Sequence, residues 1–134
     1  MNVVGIGTNI VECLRIAQMI ERHHELFLTR VYTSREIEYC SARNAATQHY
    51  AGRWAAKEAV LKTLGTGWAK GIQWTDIEVC NVEGGPPRIA LSGMAAQIAQ
   101  QLGIDEVLIS ISQCRTHATA FAMAVRGDGE ANAE

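Results

Sequence analysis

The chain has 134 residues, 48% hydrophobic and 19% charged, with a formal net charge of −2. That length and balance fit one globular domain with a buried core and do not suit a disordered chain. The charge argues against general nucleic-acid binding, which needs lysines and arginines clustered against a phosphate backbone, so any anion site must be local. Cys13, Cys40, Cys80 and Cys114 lie far apart with no C-x-x-C pair, which suits reduced thiols of a cytosolic protein rather than a zinc site or a disulfide framework. MNVVGIGTNIVE has no basic leader, and no apolar run reaches the ~18 residues of a membrane span. The expectation is a soluble, cytoplasmic protein with no membrane or nucleic-acid partner.

VVGIG at 3–7 predicts an opening strand that ends in a turn at Thr8 and Asn9. Between Leu14 and Phe27, Ile16, Met19, Ile20 and Phe27 recur at helical spacing, while Arg15, Gln18, Arg22 and Glu25 take other angles. This predicts one amphipathic helix with a partly basic outer face. TSRE at 33–36 has the form of a capping box and predicts a second helix. The longest helix should begin near Asn44 and run to Leu64, with Gly65 supplying the left-handed residue that closes it. Gly52 inside it costs about 1 kcal/mol against alanine.

DIEVCNV (76–82) and RIAL (88–91) flank EGGPP and predict a β-hairpin. SGMAAQIAQQLG (92–103) predicts a helix with a serine cap and a glycine stop. EVLISIS and HATAFAMAV alternate apolar residues and should be the central paired strands, and RGDGEANAE reads as a polar tail. The expected fold is α+β: a single domain over residues 1–126, with a mainly antiparallel sheet of about five strands packed by a long helix, and a flexible tail at 127–134.

GRWAAKEAVLKTLGTG, residues 52–67, carries charges in awkward places. On a wheel of ~100° per residue, Trp54, Val60, Leu61 and Leu64 share an apolar arc, and Arg53 and Lys57 fall inside it. Glu58 and Lys62 sit at its margin, four residues apart. Two readings stay open. Glu58 and Lys62 can form a solvated pair worth about 0.3–0.5 kcal/mol, with Arg53 and Lys57 reaching water along their stems. Alternatively, the cations hold phosphates and the carboxylate holds a divalent metal shared with them. GTG at 65–67 is not a Walker loop: no Gly-Lys-Ser/Thr follows, and the glycines sit at a helix end where carbonyls are orphaned.

Taken together, GIGTNIVECLRI, GRWAAKEAVLKTLGTG and SISQCRTHATAFAMAV closely resemble the holo-acyl-carrier-protein synthase family of 4'-phosphopantetheinyl transferases, over nearly the whole chain to Val125. The resemblance implies transfer of the phosphopantetheine arm from coenzyme A to a serine of apo acyl carrier protein, releasing 3',5'-ADP, with Mg²⁺ bridging the coenzyme's pyrophosphate and protein ligands. It puts Glu58 and Asn9 at the metal positions and Glu58 and Lys62 at the chemistry. Lys62 matches a lysine that contacts phosphate, and Arg53, Lys57, Gly65, Thr66, Gly67 and Gln113 match residues around the coenzyme. It also implies a homotrimer with shared active sites, and Arg15 and Arg22 as contacts to acidic residues of the carrier protein. Such a transfer depends mostly on positioning and charge neutralisation, which suits a metal beside a lysine. The base that takes the serine proton stays open between Glu58 and a water.

Two positions depart from the family pattern. Asn9 stands where aspartate is usual, and an amide oxygen can bind Mg²⁺ but brings no charge, so weaker metal binding is expected. Gln113 stands where many relatives carry histidine, and it can hydrogen-bond but cannot titrate. His117 could stand in only if the backbone stays extended so that both residues share a face. A working transferase, with Glu12 as a further aid to the metal, and an impaired paralogue that binds coenzyme A or carrier protein without efficient transfer are both compatible with these changes.

Overall fold

The computed structural model describes residues 1–82 and 84–127. In order these form β1 (Asn2–Glu12), α1 (Cys13–His23), α2 (Glu25–Val31), α3 (Ser34–Ser41), α4 (Ala46–Leu64), a 3-10 turn (Trp74–Asp76), β2 (Ile77–Cys80), β3 (Arg88–Leu91), α5 (Gly93–Gln101), β4 (Glu106–Gln113) and β5 (His117–Arg126). The fold is α+β and every strand pairing is antiparallel. The five strands divide into a sheet ordered β1-β5-β4 and a separate β2-β3 hairpin. Apolar alternation marks each strand's faces, but it does not say which edges meet. The polar tail expected at 127–134 lies, beyond Gly127, outside the described residues.

Three boundaries differ from the sequence reading. β1 does not turn at Thr8 and Asn9; they continue the ladder opposite Phe121 and Ala120, and sheet pairing overrides their local turn preference. The helix expected from Leu14 to Phe27 breaks at His24, whose φ of 49° lies in the left-handed region and whose N–H bonds to Ile20 O at 2.7 Å. α4 starts at Ala46 with Ala45, not Asn44, at its N-cap and no side-chain cap. Its other end closes as expected, with Gly65 left-handed at φ 76°.

Small residues set how close α4 lies to the sheet. Ala118, Ala120, Ala122 and Ala124 of β5 are buried, as are Ala51, Ala55, Ala56 and Ala59 of α4, within one core cluster. On β1 the approach is closer still: a Cβ on Gly7 would stand 2.1 Å from Ala59 O, and one on Gly5 2.6 Å from Thr63 O. Only glycine permits this contact of strand and helix backbones. The opposite face of the sheet is uncovered. Ile6 aligns with Met123 and Leu108, Thr8 with Phe121 and Ser110, and Ile10 with Thr119 and Ser112. Ile6, Ile10, Leu108 and Phe121 on that face are all exposed.

Candidate active site at the seam of α4 and β1

The close approach at Gly5 and Gly7 builds a seam with a regular pitch. Gly5 meets Thr63 and Gly7 meets Ala59, so two strand residues, about 6.6 Å, match four helical residues, about 6 Å. The next inward residue of β1 is Asn9, and α4 carries Glu58 one residue before Ala59. Lys62, one turn further on, is exposed, and its Nζ donates to Thr8 O at 2.7 Å. Lys62 of α4 therefore reaches β1 beside Asn9, and Glu58 lies one turn earlier on the same helix.

Asn9 carries a vacant acceptor. Its Oδ1 is buried and has no hydrogen-bond partner. Leaving a buried polar atom unsatisfied costs about 1–3 kcal/mol, so a donor or cation at this point would be favoured. Glu58 is half-buried, and its Oε2 accepts from Trp68 Nε1 at 3.4 Å. No group of three or more His, Cys, Asp or Glu among the described residues could hold a metal by itself. Asn9 and Glu58 would offer two side-chain oxygens, a set that suits a hard cation such as Mg²⁺ completing its shell with water and substrate phosphates.

The turn after α4 is open. Gly65 and Gly67 have φ of 76° and 65°, which favour glycine, and an added Cβ at either would meet nothing within 4 Å. Thr66 Oγ1 donates to Gly67 O at 2.9 Å. Gln113 reaches from the end of β4 onto α4, where its Nε2 donates to His49 Nδ1 at 3.2 Å. A Cβ on Gly52 would stand 2.4 Å from Gln113 Oε1 and 3.1 Å from Ile111 Cγ2, so a side chain there would displace the Gln113 amide. Burial, followed by the charges of Arg53 and Arg43, pushes the His49 pKa below its ordinary value.

His117 does not stand in for Gln113. The chain reverses between β4 and β5 so that Gln113 pairs with Ala118, whose side chain faces α4, and His117 falls on the opposite side of the sheet. Glu12 pairs with His117 on that same opposite side and so points away from Asn9. Arg15 and Arg22 are both exposed on α1, two turns apart along one face.

Lys57 and Arg53 are turned inward. Lys57 is fully buried, its Nζ 2.8 Å from Glu36 Oε1, and it also donates to Trp74 O at 3.1 Å and to Ile77 O. Burial lowers its pKa while Glu36 acts to raise it. The Lys57 ammonium is held by Glu36 and two backbone carbonyls, a brace joining α3, α4 and β2. Arg53 is 4% exposed, with Nη2 donating to Asn81 Oδ1 and its guanidinium 4.1 Å from the Tyr39 ring centre. It lines a small pocket with Arg35, Glu38 and Glu78, not the α4–β1 seam. Sequence reading passed over Trp68, although its place just after the GTG turn is the signal that could have drawn attention to it.

The candidate site is therefore a helix–strand seam carrying Asn9 and Lys62, with Glu58 one turn earlier on α4 and a glycine turn beyond. A family model, that of the 4'-phosphopantetheinyl transferase superfamily, matches residues 5–124, and the chain belongs to that family. The holo-[acyl-carrier-protein] synthase of Rhodopirellula baltica is 47% identical over 121 residues, covering 90% of this chain and 96% of that one. The fold matches the crystal structure of the holo-[acyl-carrier-protein] synthase of Neisseria meningitidis with a TM-score of 0.85 at 27% identity, over 93% and 100% of the two chains. It matches that of Helicobacter pylori, in complex with coenzyme A, with a TM-score of 0.79 at 29% identity, over 90% and 99%. The activity is therefore that of a transferase of this general kind. No helix among the described residues is long and apolar enough to cross a membrane.

Proposed function

We propose that this protein transfers 4'-phosphopantetheine from coenzyme A to a serine hydroxyl of an apo acyl carrier protein, giving holo carrier protein and 3',5'-ADP, and that Mg²⁺ is held by Asn9 and Glu58. The observation that carries this reading is the buried, unpartnered Asn9 Oδ1, next to Thr8, whose carbonyl accepts from Lys62 of α4. The printed names of the relatives support the reaction, and the coenzyme A complex of the Helicobacter pylori enzyme supports the donor.

The serine oxygen forms a new P–O bond to the phosphorus that carries pantetheine, and the pyrophosphate P–O bond to 3',5'-ADP breaks. Lys62, steered by Thr8 O, places one positive charge where the pyrophosphate lies. Bound Mg²⁺ supplies further neutralisation of the developing charge on the leaving phosphate. Glu58 offers an anionic oxygen to the cation and stands within the same turn of α4 as a candidate acceptor for the serine proton. The Gly65–Gly67 turn leaves backbone open to the ligand, and Gln113, unable to titrate, serves only in hydrogen bonding. Arg15 and Arg22 on α1 suit an acidic carrier protein, where they would set encounter rate and register.

The exposed Ile6, Ile10, Leu108 and Phe121 on the uncovered face of the β1-β5-β4 sheet support self-association, and the assembly proposed is a homotrimer with shared active sites. The protein is assigned to the cytoplasm, where its carrier and coenzyme meet and free thiols persist; all four cysteines are free. Incubation with coenzyme A, Mg²⁺ and apo carrier protein, followed by mass spectrometry of the carrier, tests the reaction. A carrier heavier by one phosphopantetheine is expected, and an unmodified carrier even at high Mg²⁺ would refute it.

A further inference from the structure

All three tryptophans of the chain belong to one stack. The rings of Trp54 on α4 and Trp74 in the 3-10 turn have centres 4.3 Å apart, and those of Trp74 and Trp68 are 4.0 Å apart. Trp68 follows directly on the Gly65–Gly67 turn. An added Cβ at Gly65 or Gly67 would meet nothing within 4 Å, and beyond them the Trp68 ring packs on Trp74. The same indole reaches back to α4, with Nε1 donating to Glu58 Oε2 at 3.4 Å. Trp68 is the only hydrogen-bond partner of Glu58 among the described residues.

We propose that Trp68 is the positioning residue that joins the two parts of the site: stacked on Trp74 it sets the glycine turn, and through its indole N–H it orients the Glu58 carboxylate for the cation. The proposal rests on the reading of Glu58 as a cation ligand. Without the indole, Glu58 must give up its full rotamer freedom when it ligates. Hydrogen-bonded partners behind metal-binding carboxylates commonly matter in this way, and their loss costs about 10- to 100-fold in metal affinity. The bond here is long, so the lower end applies. One indole serves both turn and carboxylate, so a coenzyme that orders the turn and a cation at Glu58 favour each other's binding.

The test is calorimetric titration of coenzyme A into the folded protein over a series of Mg²⁺ concentrations. Trp68→Phe keeps a ring on Trp74 but removes the N–H, and the Mg²⁺ concentration for half-maximal coenzyme binding should rise about tenfold. Trp54→Phe, which changes the far end of the stack, should leave it unchanged. In the unmutated protein, Mg²⁺ with coenzyme A should alter tryptophan fluorescence, and Trp68→Phe should abolish most of that change. An equal or lower Mg²⁺ requirement in Trp68→Phe overturns the proposal. Glu58→Gln separates the two failures. Coenzyme binding indifferent to both Mg²⁺ and Glu58→Gln sinks the cation reading and this proposal with it. Binding that needs both but ignores Trp68→Phe sinks this proposal alone.

Discussion

Lys57 Nζ lies 2.8 Å from Glu36 Oε1, and neither side chain has any exposed surface. Glu36 is also the capping-box residue of α3, and its Oε2 accepts from Val79 N at 2.7 Å. Removing one partner of such a pair leaves a buried charge uncompensated, so Lys57→Met should destabilise the protein by about 3–5 kcal/mol in urea unfolding. Adding Glu36→Gln to Lys57→Met should recover part of that loss. Unchanged stability with a raised KM for coenzyme A would instead place Lys57 at the phosphate site.

His49 gives stability a dependence on pH. Burial, Arg53 and Arg43 hold its folded pKa below the ordinary 6.5, and Gln113 Nε2, which can only donate, needs the unprotonated Nδ1. The unfolded chain therefore binds the proton more readily than the folded one. The contribution of His49 is complete above pH 6.5, falls as pH drops through 6.5, and stops falling below the folded pKa. Urea unfolding at pH 7.5 and at pH 5 should show a smaller acid loss in His49→Gln than in the unmutated protein. An identical loss in both would contradict the assignment.

The legible part of this protein is what lies within one element. The capping box at Thr33 and Glu36, the left-handed stop at Gly65 and the alternation of the last two strands are local patterns, and all are present, but of the two strands expected at the centre only β5 is central and β4 lies at the edge. What the sequence hides are partners brought from elsewhere. Lys57 sits at an apolar angle because Glu36 comes from α3 and two carbonyls come from near β2, and no spacing along α4 announces them. Asn9 reads as a turn residue until β5 pairs with it. Gly52 looks like a flaw in a helix until Gln113 arrives from β4. The seam was marked by family resemblance, but its geometry rests on Gly5 and Gly7, which read only as features of a short strand.

The bare sheet face carries a prediction about assembly. Ile6, Ile10, Leu108 and Phe121 are 59%, 64%, 42% and 38% exposed, large apolar side chains set among Thr8, Ser110, Ser112 and Thr119 on a face that nothing covers. Light scattering should give three times the mass of the chain, and Phe121→Glu should shift it toward the monomer. A strict monomer before mutation would remove the shared-site reading.

Asn9 is the neutral ligand of the proposed cation site. The most direct measurement is the Mg²⁺ dependence of coenzyme A binding, by calorimetry, and of transfer to the carrier, in the unmutated protein and in Asn9→Asp. Placing a carboxylate at the unpartnered Oδ1 adds charge attraction at close range, and a gain of only ~1.4 kcal/mol is tenfold in affinity. Asn9→Asp should therefore reach half-maximal binding and half-maximal transfer at an Mg²⁺ concentration at least about tenfold lower. The same Mg²⁺ dependence in both proteins would show that Asn9 does not face the cation.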